Sequence, residues 1–185
     1  YKKDMTRYKL KLGFEISQEL YDEIIKDTVF RRAKQKALAI LKYMDRTEYE
    51  LRNKLSDSGY NPIIIEQTID YINSYNYLDD TRYTRNYINF KKFNMSKRQI
   101  EYNLYKKGIS KEVLQKVINE IYDNHANKLT DDPEIIAINK AIKKKIKVLE
   151  NMTYEEEKKI ISFLYRKGFN IDKIKISMNK VRKEN

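Results

Sequence analysis

Apolar residues recur along this chain in a pattern written three times around three glycines. Leu51 and Leu55 stand eight and four residues before Gly59. Ile100 and Leu104 keep those places before Gly108, and Ile160 and Leu164 before Gly168. After each glycine, at six, ten and thirteen residues, come Ile65, Ile69 and Ile72, then Leu114, Ile118 and Ile121, then Ile174, Met178 and Val181. Spacings of three and four put each set on one face of a helix. Glycine between them suits the left-handed residue that closes a helix. Asn61, Ser110 and Asn170 follow two positions later as N-caps, and Pro62 fits a first helical turn. Capping boxes are predicted at Thr47 with Glu50, Ser96 with Gln99 and Thr153 with Glu156. The third box lies three residues further from its glycine, which predicts a helix one turn longer.

A third helix precedes each pair. The stripe Val29, Ala33, Ala37, Ile40, Leu41 and Met44 predicts one over 29–44. Asp79 or Asp80 opens its counterpart, which offers Tyr83, Tyr87 and Phe90 to the core. Asp132 and Pro133 open the third, with Ile135, Ile138, Ile142 and Leu149 on its apolar side. Upstream, Tyr8, Leu10, Leu12 and Phe14 alternate with Lys9, Lys11 and Gly13, the period of a half-buried strand. One strand is not stable alone, so either a partner strand precedes Tyr1 or this arm is loosely attached, and the lack of an initiating Met favours the first. Ser17 caps a short helix to about Lys26, with Leu20, Ile24 and Tyr21 as its apolar side. The expected fold is all-α, an elongated tandem array of three three-helix repeats with a short N-terminal strand and helix. The expected divisions are a truncated N-terminal segment, 1–27, then repeats over 28–76, 77–130 and 131–185.

Composition narrows the chemistry. The 185 residues contain no cysteine, which removes disulfides and thiolate metal sites. The only histidine, His125, falls in a polar linker and is read as solvated. The glycines are spent on helix ends rather than a phosphate loop, and acidic pairs such as Asp79-Asp80 serve as caps. No catalytic residue, cofactor or metal is therefore expected. Neither a signal peptide nor an apolar run of membrane-spanning length is present, so a cytoplasmic protein without a membrane partner is expected.

The net charge of +12 points to an anionic partner, although Lys-rich, Ala-poor coding supplies some lysines without purpose. Its distribution says more. Basic and acidic side chains balance in residues 1–30, but stand at 11 against 6 over 77–130 and 14 against 9 from 131 on. Three groups are candidate contacts. Lys97 and Arg98 follow the Ser96 cap, where cations oppose the helix dipole and, with free N–H groups, form an anion site. Lys140, Lys143, Lys144 and Lys147 make a stripe along one helix; a solvated face is the plainer explanation. Lys106 and Lys107, Arg166 and Lys167, and with them Lys91 and Lys92, sit in last helical turns, where the dipole alone accounts for positive charge. The sixteen tyrosines can stack on single-stranded bases, although those at apolar helical positions belong to the core.

At this point the sequence resembles a known family. The turn Tyr77-Leu78-Asp79-Asp80 followed by Arg82 and Tyr83, the helix end Lys106-Lys107-Gly108-Ile109, and RRAKQKALAILKYMDRTEYELRNKL leading into the first pair are similar to the RecX family of recombinase regulators. The resemblance covers residues 28–183 and is weakest in the third unit. It implies a monomer that binds the RecA recombinase filament and limits its ATPase and strand exchange, with secondary contact to single- or double-stranded DNA. The alternative is a helical-repeat protein that binds nucleic acid without sequence specificity. The second helices, rich in Ile and Lys, offer few base-reading side chains for a helix-turn-helix.

Overall fold

A computed structural model describes residues 2–122, 132–145 and 153–184, and every regular element among them is helical. Two units are distinguished, Tyr1–Asp79 and Asp80–Asn185. The first holds α1 (Lys2–Arg7), α2 (Gln18–Glu23), α3 (Arg31–Tyr43), α4 (Glu48–Asp57) and α5 (Pro62–Ser74). The second holds α6 (Asp80–Lys91), α7 (Lys97–Lys106), α8 (Lys111–Tyr122), α9 (Pro133–Lys145), α10 (Tyr154–Arg166) and α11 (Ile171–Glu184). Within the units the helices pack in threes: α3 with α4 and α5, α6 with α7 and α8, α9 with α10 and α11.

The glycine turns have the expected construction. Gly59, Gly108 and Gly168 lie at φ +85°, +78° and +82°. Each closes its helix by donating to the carbonyl three residues back, while the next residue donates to the carbonyl five back, as Tyr60 N does to Leu55 O at 3.3 Å. This pair of bonds satisfies carbonyls that a helix end otherwise leaves open. All the apolar residues named before the glycines are buried, and so are those after them apart from a half-buried Val181. Thr47 and Thr153 form complete capping boxes. At 13 residues, α10 is three longer than α4 or α7. Ion pairs fasten helices of each triplet to one another, Arg52 with Glu66, Arg85 with Glu120 and Arg182 with Glu157, and Arg52 also pairs with Glu48 within α4.

Four expectations need correction. The strand over residues 8–14 is absent: α1 gives way to turns with Lys9 at φ +51° and Gly13 at φ +82°. Leu12 is 99% exposed and Phe14 72%, so the alternation has no buried face to serve. Tyr8 instead meets Thr28 Oγ1 at 3.0 Å, and Asp4 pairs with Arg32, holding α1 against the helix beyond. Secondly, the helical path begun by α2 does not stop near Lys26. It runs without a break through a π-helical stretch, Ile24–Phe30, into α3. The wider winding turns Thr28 inward, which becomes the buried residue there, and Met44, past the helix end, is exposed. Thirdly, Phe90 is exposed and Ile88 is buried in its place. Two residues on a helix are about 200° apart, so only one of them can face the core. Lastly, the Ser96–Gln99 box is half formed: the Ser96 hydroxyl accepts from Gln99 N and donates elsewhere, but the return bond from Ser96 N to the Gln99 side chain is not made. Leu149, expected on the apolar side of α9, and His125 lie outside the described residues.

Candidate functional site

The destination of that hydroxyl organises unit 2. Ser96 Oγ accepts from Gln99 N at 3.2 Å, capping α7, and donates to Lys167 O at 2.7 Å, beside the Gly168 turn. The start of α7 is thereby tied to the end of α10. A Cβ placed on Gly168 would lie 3.1 Å from Ser96 Oγ and 3.4 Å from Arg98 Cβ, so Arg98 lies directly over this turn. A groove of about 530 Å³ results, lined by Arg98, Gln99, Tyr102, Tyr165, Arg166 and Lys167.

The other cations fall around it unevenly. Lys97 parts from Arg98: neighbours on a helix point about 100° apart, and its ammonium lies 5.5 Å over the Tyr122 ring. A second cavity of about 350 Å³ is lined by Lys140, Lys144, Lys145, Phe163, Asn94 and again Lys167. There Lys140 Nζ donates to Asn94 Oδ1 at 2.6 Å, while Lys145 and Lys167 sit 4.7 and 4.9 Å over the Phe163 ring. Lys143 faces a neighbouring hollow with Ile136 and Asn139. Lys147 lies outside the described residues. Lys91 rests over Phe90 and Lys92 over Phe93, and Lys92 also donates to Asn89. Lys106 covers Tyr102 at 4.6 Å and Lys107 covers Tyr83 at 5.6 Å. The structure thus gathers Arg98, Arg166 and Lys167 at one groove, with Lys140 and Lys144 in the adjoining cavity, and leaves Lys97, Lys91, Lys92 and Lys107 outside both.

The sequence allows tyrosines off the apolar stripe to stack on bases but singles out neither aromatic member of this groove. Tyr102 is 56% exposed and Tyr165 61%. Tyr102 sits two residues from both Ile100 and Leu104, out of phase with the buried face, and Tyr165 adjoins buried Leu164. An aromatic off the apolar stripe was the available signal.

Ser96→Ala removes a cap and leaves the Lys167 carbonyl without this donor, an expected loss of about 1–2 kcal/mol. Ser110→Ala, at an exposed cap accepting from Val113 N at 3.3 Å, is expected to cost less. Urea midpoints followed by circular dichroism rank the two.

Helix triplets closed by left-handed glycines, with cations and exposed aromatics collected at helix ends, define a helical-repeat module. Comparison with known proteins gives it a family. The model described as "RecX, first three-helix domain" matches residues 33–71, and "RecX, third three-helix domain" matches 134–176. The regulatory protein RecX of Clostridioides difficile (strain 630) is 33% identical, over 98% of this chain and 82% of its own. That of Clostridium perfringens (strain SM101 / Type A) is 31% identical, over 85% and 72%. A crystal structure of regulatory protein RecX shares the fold at TM-score 0.72 and 18% identity, covering 96% of this chain and 87% of that one. RecX from Lactobacillus salivarius does so at 0.65 and 21%, covering 83% and 96%. The chain belongs to the RecX family of regulatory proteins.

Proposed function

We propose that the chain binds the RecA recombinase filament and lowers its ATPase and strand-exchange activity, acting by attachment rather than by chemistry of its own. Family membership over nearly the whole chain carries this reading. The placement of charge supports it: the excess cations lie in repeats two and three, at helix ends and along α9. A filament is a repeating surface with nucleic acid inside it, so a body built from tandem modules can meet it at several equivalent points. DNA contact is secondary and follows from the same cations. No helix among the described residues is long and apolar enough to cross a membrane.

The test is RecA-catalysed ATP hydrolysis on single-stranded DNA, titrated with this protein. Hydrolysis falls with rising protein and levels off at a fixed ratio to RecA. Undiminished hydrolysis across the titration sinks the proposal. The second reading, nucleic-acid binding without sequence specificity, is favoured by the tyrosines exposed among cations at the groove. On that reading inhibition scales with DNA covered and disappears when DNA is in excess.

A further inference from the structure

We infer that the groove over the Gly168 turn is a single-stranded DNA site, in which bases stack on Tyr102 and Tyr165 while Arg98, Arg166 and Lys167 hold the phosphates. The inference rests on the DNA contact proposed above and names its form and place.

Both tyrosines stay exposed in a groove whose other walls are cationic. Exposed aromatic faces among positive side chains match a strand that offers bare bases and phosphates together. A duplex presents phosphates but keeps its base faces inside the stack, so it gives the rings nothing to cover. An acidic protein surface also engages exposed tyrosines and arginines, so binding of oligo(dT) with no protein partner present is what separates the two. Lys167 lines the adjoining cavity as well, so the phosphate path continues past Lys144 and Lys145 along α9.

Positive charge suits a last helical turn, but closing the turn does not require it in these two places. The residues two and one before Gly168 are Arg166 and Lys167, yet the same places before Gly59 are Asp57 and Ser58. The first repeat closes its turn with the same two backbone bonds and no cation in either place. Tyr49 stands at the position of Arg98, and Asn53 and Ser56 at those of Tyr102 and Tyr165. The first repeat therefore keeps the turn while none of its equivalent places repeats the groove's residue. Closure of the turn does not require the groove residues.

The experiment measures binding of labelled oligo(dT), and of a duplex of equal length, by fluorescence anisotropy across a salt series. Tyr102→Leu and Tyr165→Leu are each expected to weaken oligo(dT) binding about tenfold with duplex binding unchanged. Tyr102→Phe and Tyr165→Phe, which keep the stacking face, bind as the parent does. Arg98→Gln with Arg166→Gln lowers the slope of log affinity against log salt by about 1.4 for the single strand. The inference is overturned if the Leu variants bind oligo(dT) like the parent, if they lose single strand and duplex equally, or if the Gln pair leaves the slope unchanged. Failure here with RecA inhibition intact removes the groove and leaves the filament reading. A parent protein that binds oligo(dT) as described yet never slows RecA does the reverse.

Discussion

Lys173→Ala is expected to destabilise unit 2 by about 2–3 kcal/mol, because it strips a buried carboxylate of its cation. Glu134 is 4% exposed, and Lys173 Nζ lies 3.1 Å from its Oε2 and 2.7 Å from Asp132 Oδ2. The bridge pins α11 to the first turn of α9, where Asp132 also caps the helix by accepting from Glu134 N at 2.8 Å. The figure is set below that for a fully buried pair since the lysine side chain keeps 29% of its exposure. Pairing Lys173→Met with Glu134→Gln recovers part of the loss, since the second change removes the stranded charge. The bridge also has a pH signature. Burial works against the charge on Lys173, but its hydrogen bonds to Asp132 and Glu134 outweigh that and hold the ammonium above the ordinary lysine value of 10.5. A group whose pKa is raised on folding stabilises fully below its unfolded value and ceases to as pH passes its folded one. The gap between parent and Lys173→Ala in urea midpoint is therefore constant from pH 7 to about 10 and narrows above that. A gap that does not respond to alkali means that the ion pair contributes nothing.

Gly168→Ala is expected to cost about 2–3 kcal/mol and Gly59→Ala only about 1–2, although the two turns share one backbone form. At Gly59 a methyl meets nothing within 4 Å, so only the positive φ is penalised. At Gly168 it presses on Ser96 Oγ at 3.1 Å, the atom that caps α7 and donates to Lys167 O. The second substitution thus strains a turn and disturbs a cap on another helix. It also displaces Arg98, so oligo(dT) binding falls with stability for Gly168→Ala and stays unchanged for Gly59→Ala. Thermal melts of the two variants, with anisotropy on the same samples, read both effects. Equal loss of stability in the two proteins contradicts the packing described for Ser96.

Much of this architecture was legible because the repeat states its rules three times. Leu51, Ile100 and Ile160 are buried for the same reason, and the glycine that follows each pair must adopt a conformation that other residues resist. What repetition could not supply was anything decided between repeats. Ser96 and Gln99 satisfy the capping-box pattern, yet only the serine half forms, and its hydroxyl also donates to a carbonyl 71 residues away. Local pairing rules do not see an acceptor brought in from another helix. Lys97 and Arg98, adjacent letters on one helix, likewise have different neighbours, Tyr122 and the Gly168 turn. At the N-terminus, alternation over Tyr8, Leu10, Leu12 and Phe14 has the period of a strand, but no second strand stands beside it among the described residues. Period alone records what a segment could bury, and Leu12 has nothing to bury against. The tyrosines of the groove were hidden for the opposite reason: with sixteen in the chain, a composition rich in Tyr makes each one look ordinary until its exposure is known.

The claim at the centre is attachment to a RecA filament. Co-sedimentation tests it most directly, using RecA assembled on single-stranded DNA with a non-hydrolysable nucleotide, beside the same DNA without RecA. The protein is predicted to pellet with the filament saturably, at a fixed ratio to RecA, and beyond what the DNA alone retains. Recovery with the filament no greater than with naked DNA would contradict it, and would leave a nucleic-acid-binding protein in its place.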